Sequence, residues 1–507
     1  MRSKKSLYNL LTAILLQMVT LTMGIVLPRV MILSFGSEIN GLVSSIRQFI
    51  SYLTLVEAGL AGASIFALYK PLAEKNNMKI NEILSETKKF YNKSGIWFSI
   101  LAFLLALIFP YIANSKTISN IEIIIIAFIL GINGSLEFFS MGKYRTLLTA
   151  DQKSYIISLI QIVGQLINGI IIVIMSIKGF NIISVQLIAT SSYIIRTILF
   201  KNYVKHNYKF IRFNIKVSKN ILHQRADVLF HQIGGMVVFN SPIALITFFC
   251  SLTEVSIYSI YNMIFIGISG ILGIFNNGLV AGLGDIISRN DLNRLQKVYR
   301  EYEFIYYMLV TGVYSCTYIL IMPFIKIYTK GLDDAQYIDK NLAMAFIIIG
   351  ILNVLRTPQA TVVNAAGYFK ETRYRALIEI IINIIFSIVL INIFGMIGVL
   401  IGGICSYLYR TVDFIMYVPK KITYLPIKQS VIRILRAAFL GYVIIIPFNN
   451  FIFIQAKNFY EWVLYGISIS IWAGFIIIIG NYLLEKNQML SIFERIKMLT
   501  SKKKIKI

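Results

Sequence analysis

Acidic residues are scarce in this chain: 23 Asp and Glu stand against 49 Lys and Arg in 507 residues, and charged residues of both signs make up only 14%. A soluble surface of this size needs roughly 25–35% charge, which excludes a water-dissolved globular protein. Cysteine is nearly absent; Cys250, Cys316 and Cys405 lie in apolar stretches far apart in sequence, so no disulfide framework is implied. The three histidines, His206, His223 and His231, have no ligand spacing with Cys or carboxylates, and no metal site is expected. A GxxxxGK[ST] stretch is missing, which removes an ATPase built into the chain. No sizeable polar loop carries a paired acid and base, so a membrane polymerase or glycosyltransferase lacks its catalytic constellation.

What is present is hydrocarbon. Hydrophobic residues make up 57% and the mean hydropathy is +0.73, and runs such as "IWFSILAFLLALIFPYIA" and "EWVLYGISISIWAGFIIIIGNYLL" reach the roughly 20 residues a bilayer span needs. The fold class expected is an all-α integral membrane protein with about 14 transmembrane helices. They are placed near 7–33, 40–68, 94–114, 121–142, 155–177, 183–200, 228–250, 256–283, 304–325, 341–364, 376–394, 396–418, 435–455 and 462–484. "MRSKKS" opens an apolar run with no small-residue cleavage site, which reads as an uncleaved first helix.

The net charge of +26 reports orientation. With the N-terminus inside, the outer segments keep only Arg29, Lys116, Lys178, Lys326, Lys330, Lys340 and Lys457; Arg47 lies within a helix, and the other cations fall on cytoplasmic segments. By the positive-inside rule both termini are then cytoplasmic. No nucleic acid partner is needed; the bilayer, with its anionic lipid, is the partner of this basicity.

An interval of 214 residues recurs. "SYIIRT" at 192–197 returns as "SYLYRT" at 406–411, Pro28 as Pro242 and Phe90 as Phe304, while Pro110 and Pro323 are 213 apart, in a chain with nine prolines. A fixed period is read as an internal duplication. Six spans per copy is an even number, so two lobes of the same orientation follow: 1–222, and 223–433, with 434–507 as an added helix pair and basic cytoplasmic tail. Parallel repeats of this kind are a transporter architecture with the substrate site near the midplane between the repeats. The Tyr and Arg of the repeated motif, at the inner helix ends, are expected to be interfacial anchors.

"FGSEINGLVSSIRQFISYLTLVEAGLAGASIFALYK" and "YRTLLTADQKSYIISLIQIVGQLINGIIIVI" resemble the linkers of spans 1–2 and 4–5 in polysaccharide flippases of the multidrug/oligosaccharidyl-lipid/polysaccharide (MOP) superfamily, over essentially the whole chain. The resemblance implies a Wzx-type flippase with a MATE-like pair of six-helix lobes around a central cavity. Its substrate would be an undecaprenyl-diphosphate-linked oligosaccharide, moved from the inner to the outer leaflet of a bacterial cytoplasmic membrane for O-antigen or capsule synthesis. Candidate protein partners are the polysaccharide polymerase and chain-length proteins. A small-molecule exporter of the same fold stays open as the alternative, although spans 1 and 7 offer Gln17, His231, Gln232 and Asn240 and no carboxylate.

Charged groups deep in a span cost at least about 2.5 kcal/mol and usually face a cavity or a partner. From the expected outer ends Arg47 lies roughly 10 Å deep, and Glu57, Glu137 and Arg356 roughly 22–26 Å deep. Arg47 and Arg356, with Arg29 near the outer mouth, are the candidate cations for a diphosphate, because guanidinium binds phosphate oxygens bidentately. Glu57 and Glu137 are candidates for coupling to H+ or Na+; no cofactor is expected, and the membrane potential is a second source of drive. Pro28 and Pro242, matched on spans 1 and 7, are candidate hinges.

Overall fold

The structure is a computed structural model that describes residues 2–57, 60–113, 115, 117–215, 226–450 and 454–500. It consists of helices α1 (Arg2–Phe35), α2 (Ser37–Leu53), α3 (Leu60–Ala73), α4 (Asn77–Ala113), α5 (Asn120–Leu136), α6 (Gly142–Ala150), α7 (Ser154–Ile177), α8 (Ile182–Ala189), α9 (Ser191–Asn207) and α10 (Ala226–Phe249). These are followed by α11 (Leu252–Ser288), α12 (Leu292–Tyr328), α13 (Lys340–Leu355), α14 (Thr357–Ala366), α15 (Phe369–Phe394), α16 (Met396–Val418), α17 (Ile427–Asn450), α18 (Phe459–Leu484) and α19 (Lys486–Thr500). Twelve helical stretches among the described residues are long and apolar enough to cross a membrane, and thirteen if the pair Ser37–Glu57 and Gly62–Ala73, inclined by 48°, is one span. The helix α10 occupies the place of the remaining expected span, 228–250. The all-helical membrane fold is as expected.

Four expected spans are interrupted, each for a local reason that hydropathy does not register. Between α2 and α3 the helix tightens to a 3-10 turn over Thr54–Glu57. Between α5 and α6 the stretch Glu137–Met141 widens to a π-helix, a rare form that is frequent at functional sites. The helices α8 and α9 part at Thr190, and α13 and α14 at Arg356, with Pro358 just inside the second helix. At 37 residues each, α4, α11 and α12 span roughly 55 Å and so extend well past a 30 Å hydrocarbon layer.

Two compact units emerge. Unit 1 comprises Met1–Gly267, Leu332–Ala335 and Ser387–Val399; unit 2 comprises Ile268–Gly331, Gln336–Phe386 and Leu400–Ile507. The lobe boundary expected at 222/223 lies outside the described residues, and that expected at 433/434 falls inside α17.

In unit 1, α1 packs along α7 and α4 along α5. One core gathers Leu42, Ile46, Phe109, Ile123, Val185 and Leu252; another gathers Leu84, Met141, Leu147, Phe200 and Val204. The turn into α2 is made by Gly36 at φ +86°, a conformation that favours glycine. Asp334 then caps α2: the Ser37 N–H donates to its Oδ2 at 2.6 Å and the Ser37 hydroxyl to its Oδ1 at 2.8 Å. A carboxylate at a helix N-terminus satisfies orphan N–H groups and complements the dipole. Next to this cap, α2 meets α11 so closely that a Cβ on Gly41 would lie 1.7 Å from the Leu252 carbonyl oxygen, and Asn40 donates to the Ser256 hydroxyl at 2.8 Å.

In unit 2, α12 packs against α17 and α18 over a core that includes Ile319, Ile444, Ile469 and Ala473. These helices are joined by a polar node. Glu303, fully buried, accepts from Tyr299 (3.0 Å), Gln359 (3.0 Å), Ser430 (2.6 Å) and Arg433 (3.0 Å). The other edge of the Arg433 guanidinium reaches Glu485 at 2.5 Å, where Arg436 also binds. Burial acts to raise the Glu485 carboxyl, but the hydrogen bonds and charges of Arg433 and Arg436 outweigh it and hold it below the usual carboxylate range. Helices α17 and α18 are thereby held within unit 2 through charge as well as packing.

Candidate functional site

Within unit 1 a cavity of about 190 Å³ is lined by α1, α2 and α7. From α1 come Thr20, Gly24, Leu27 and Pro28; from α2, Asn40, Ser44 and Arg47; from α7, Gln165. Pro28 cannot donate to the carbonyl of Gly24 four residues earlier, so that carbonyl loses its helical partner beside the cavity. Thr20 donates to the Gln165 side-chain oxygen at 3.1 Å and so fixes one wall. The lining is therefore amides, hydroxyls and apolar groups around one guanidinium, and no carboxylate is among its residues.

Arg47 is the charge in that space. Its side chain lines the cavity, and it has no hydrogen-bond or ion-pair partner among the described residues. Two of the sequence-derived candidates, Arg47 and Pro28, thus meet in one cavity. Arg29, partly buried on α1, is next to Pro28 in sequence but is not a lining residue. Pro242 sits inside α10.

The two carboxylates singled out in unit 1 have partners. Glu57, at the end of the 3-10 turn, accepts from the Tyr91 hydroxyl at 2.5 Å. Glu137, the first residue of the π-helix, pairs with Arg196 at 3.1 Å and Arg145 at 3.5 Å. Arg356 occupies the break between α13 and α14, pairs with Glu379, takes the Asn353 oxygen at 3.2 Å and lies 4.4 Å over the Tyr407 ring. It belongs to a network in unit 2: Arg410 bridges Glu379 (3.5 Å) and Asp413 (3.0 Å), and Asp413 also holds Arg375. Three guanidinium groups there share two carboxylates.

The anchoring role expected for the motif arginines is corrected. Arg196 and Arg410 do not reach for the membrane surface; the Arg410 side chain is 5% exposed and that of Arg196 12%. Each turns inward to a carboxylate of its own unit, because a guanidinium close to a deep Glu gains more from that partner than from the interface. Sequence reading overlooked Glu379 and Asp413. Glu379 stands alone in "ALIEIIINII", and the depth criterion applied to Glu57 would have found it; Asp413 follows Arg410 by three residues, a helical ion-pair spacing.

Among the described residues no group of three His, Cys, Asp or Glu could hold a metal ion; the side chains of His223 and His231 lie outside that description.

No family model and no curated protein matches the chain, but solved structures do. An inward-facing multidrug-resistance MATE family transporter of the MOP superfamily aligns with a TM-score of 0.68 at 14% identity, covering 83% of this chain and 99% of that one. Lipid II flippase MurJ in an inward closed conformation aligns with a TM-score of 0.63 at 17% identity, covering 94% and 98%. A MOP superfamily transporter from Pyrococcus furiosus, with a binding pocket described as reversed in polarity, aligns at 0.51 and 13% identity over 82% and 96%. These similar proteins are described as transporters or a flippase, and at such identities the likeness shows for this chain the fold that they share.

Proposed function

We propose that the chain is a lipid-linked oligosaccharide flippase, carrying undecaprenyl-diphosphate-bound repeat units from the inner to the outer leaflet of a bacterial cytoplasmic membrane for surface polysaccharide synthesis. The observation that carries the reading is Arg47, a guanidinium without a hydrogen-bond or ion-pair partner among the described residues, in a cavity whose described lining has no carboxylate. A diphosphate leaving water needs fixed positive charge in place of its hydration, and a guanidinium offers it two parallel donors. Amides and hydroxyls of Asn40, Ser44, Thr20 and Gln165 are the groups that hydrogen-bond sugar hydroxyls or phosphate oxygens. A cavity built for cationic drugs would need the opposite sign.

Drive comes from charge. With the cytoplasm negative, two negative charges moving outward gain up to about 4.6 kcal/mol per 100 mV. Coupling to H+ or Na+ through Glu57 is a further candidate, since it accepts a hydrogen bond from the neutral Tyr91 hydroxyl and Arg145 acts on it through charge without a direct salt bridge among the described residues.

The test is a strain without the protein. Lipid-linked repeat units should accumulate on the inner leaflet and surface polysaccharide should fall, and restoring the chain should reverse both; normal surface polysaccharide in that strain would sink the reading. Reporter fusions after Lys201 and Gln488 should read as cytoplasmic and one within "KGLDDAQY" as external.

A further inference from the structure

At the end of unit 1 where α4 begins and α9 ends, the chain leaving α9 runs along one face of α4. Asn81, Ser85 and Lys88, spaced four and three residues apart, share that face. Asn81 donates to the Phe210 carbonyl and accepts from the Arg212 N–H, both at 2.9 Å; Ser85 accepts from the Ile215 N–H at 3.1 Å. Lys88 donates to the Asn214 side-chain oxygen at 2.8 Å. This lacing holds Phe213 edge-on to Tyr144 at 5.6 Å. Over both rings lies the Lys143 ammonium, 5.1 Å from Tyr144 and 5.6 Å from Phe213, with only the Phe139 carbonyl, at 3.4 Å, as a hydrogen-bond acceptor.

Lys88, bound to Asn214, and Lys143, over Phe213, thus flank two adjacent residues of the laced segment, and Lys201 of α9 adds its charge to that of Lys88 acting on Lys143. Three helices, α4, α6 and α9, therefore bring ammonium groups within electrostatic reach of Lys143. None of them has a carboxylate partner among the described residues. Lys88 and Lys143 are half-buried and Lys201 is exposed, so the cluster has a walled side and an open side. Converging like charges in a partly desolvated setting oppose one another, and an anion with several oxygens relieves that repulsion while each ammonium gains a charge-assisted hydrogen bond.

We propose that Lys88, Lys143 and Lys201 form a phosphate-binding site, walled by Phe213 and Tyr144, for a phosphate or diphosphate group presented at the membrane surface. The site is separate from the Arg47 cavity and does not rest on the function proposed above. Lysine suits it, because a compact, rotatable ammonium accepts phosphate from several directions where a guanidinium fork demands one.

The test uses the full chain purified in detergent, wild-type and in an Arg47→Gln background so that the cavity does not contribute. It is titrated with inorganic diphosphate, and the phosphatidylglycerol it retains is counted by native mass spectrometry. Replacing the three lysines by glutamine should weaken diphosphate binding about tenfold or more, since one charge-assisted contact alone is worth about that factor; replacing them by arginine should retain most of it. Loss of diphosphate affinity with unchanged phosphatidylglycerol identifies a diphosphate as the ligand, and loss of both identifies a phospholipid headgroup. If the triple variant fails to fold, Lys201→Gln, an exposed change, replaces it, with about a threefold loss expected from its partial share of the contact. Unchanged binding of both ligands in a folded glutamine variant, or no binding by the wild-type chain, overturns the proposal.

Discussion

Arg196 binds Glu137 at 3.1 Å, and 214 residues later Arg410 binds Glu379 at 3.5 Å and Asp413 at 3.0 Å. The "SY..RT" motif thus places an arginine, at both of its occurrences, where it binds a carboxylate inside its own unit. The partners differ in position: Glu137 lies in the π-helix before α6, whereas Glu379 lies on α15 and Asp413 on α16 itself.

The two occurrences should respond unequally to removal of the arginine. Arg410→Ala leaves Glu379 to Arg356 and Asp413 to Arg375 but removes the buried guanidinium that bridges them and should cost about 2–3 kcal/mol, while Arg196→Ala, with Arg145 still beside a half-exposed Glu137, should cost about 1 kcal/mol. Thermal melting of both variants in detergent checks the order. Equal losses would show that the network around Arg410 is not what holds unit 2.

Glycine at position 41 is a second point of leverage. With the Leu252 carbonyl 1.7 Å from where a Cβ would stand, Gly41→Ala must push α2 from α11, since neither backbone can yield by a side-chain rotation. The cost should be about 1–3 kcal/mol and should be accompanied by loss of the Asn40–Ser256 hydrogen bond. Melting of Gly41→Ala beside Asn40→Ala tests this; if the two variants lose equal stability, the close approach of the backbones adds nothing beyond that hydrogen bond.

Much of the fold was legible in the sequence because a bilayer reads composition directly: an apolar run of sufficient length has few other fates. A duplication was the sequence's expectation for a different reason, since Pro28 and Pro242 are rare residues at a fixed interval. What hydropathy could not show were the four breaks in the spans, which depend on a π-turn, a 3-10 turn, Thr190 and the Arg356–Pro358 pair. Site residues were legible one by one and not in combination. Depth alone cannot separate Arg47, without a hydrogen-bond or ion-pair partner among the described residues, from Arg356, which pairs with Glu379.

Asp151 gives a pH test outside the spans. It joins α1 to the α6–α7 turn and the end of α9: Lys5 lies 3.3 Å and Lys153 2.9 Å from its carboxylate, and the Tyr208 hydroxyl donates to it at 2.5 Å. Burial acts to raise this carboxyl, but the hydrogen bonds from Tyr208 and Lys153 and the charges of Lys153 and Lys5 prevail and lower it. A carboxyl depressed in the folded state stabilises above its unfolded value, near 3.9, and loses that contribution as pH falls through the folded value. The gap in melting between wild type and Asp151→Asn, worth about 1 kcal/mol at neutral pH for a partly exposed pair, should therefore hold down to about pH 4 and close below it. A gap that widens on acidification contradicts the assignment.

Arg433 offers a discriminating pair of variants. Arg433→Met alone leaves Glu303 buried among neutral donors and should cost about 3–5 kcal/mol, whereas adding Glu303→Leu removes the stranded charge and should restore a large part of it. The readout is melting, with retention of α17 and α18 followed by resistance to proteolysis. If the double variant is no better than the single one, the node holds the added helices by charge specifically and not by filling space.

The last prediction concerns Arg47, because it separates charge from shape. In Arg47→Gln the cavity keeps its polar lining and nearly its volume but loses its cation, so a diphosphate would face only amides and hydroxyls; export should fall by about tenfold or more, as expected when one charge-assisted contact of about 1.5–3 kcal/mol is removed. Arg47→Lys restores the charge without the fork and should keep an intermediate rate. Because Arg47 has no partner among the described residues, neither change strands a carboxylate, and both proteins should melt close to wild type, which Arg356→Gln, facing Glu379, should not. Surface polysaccharide measured at matched membrane abundance decides the matter. Wild-type export from a stable Arg47→Gln chain would mean that the anion crosses by another route, and the cavity would then need a neutral ligand.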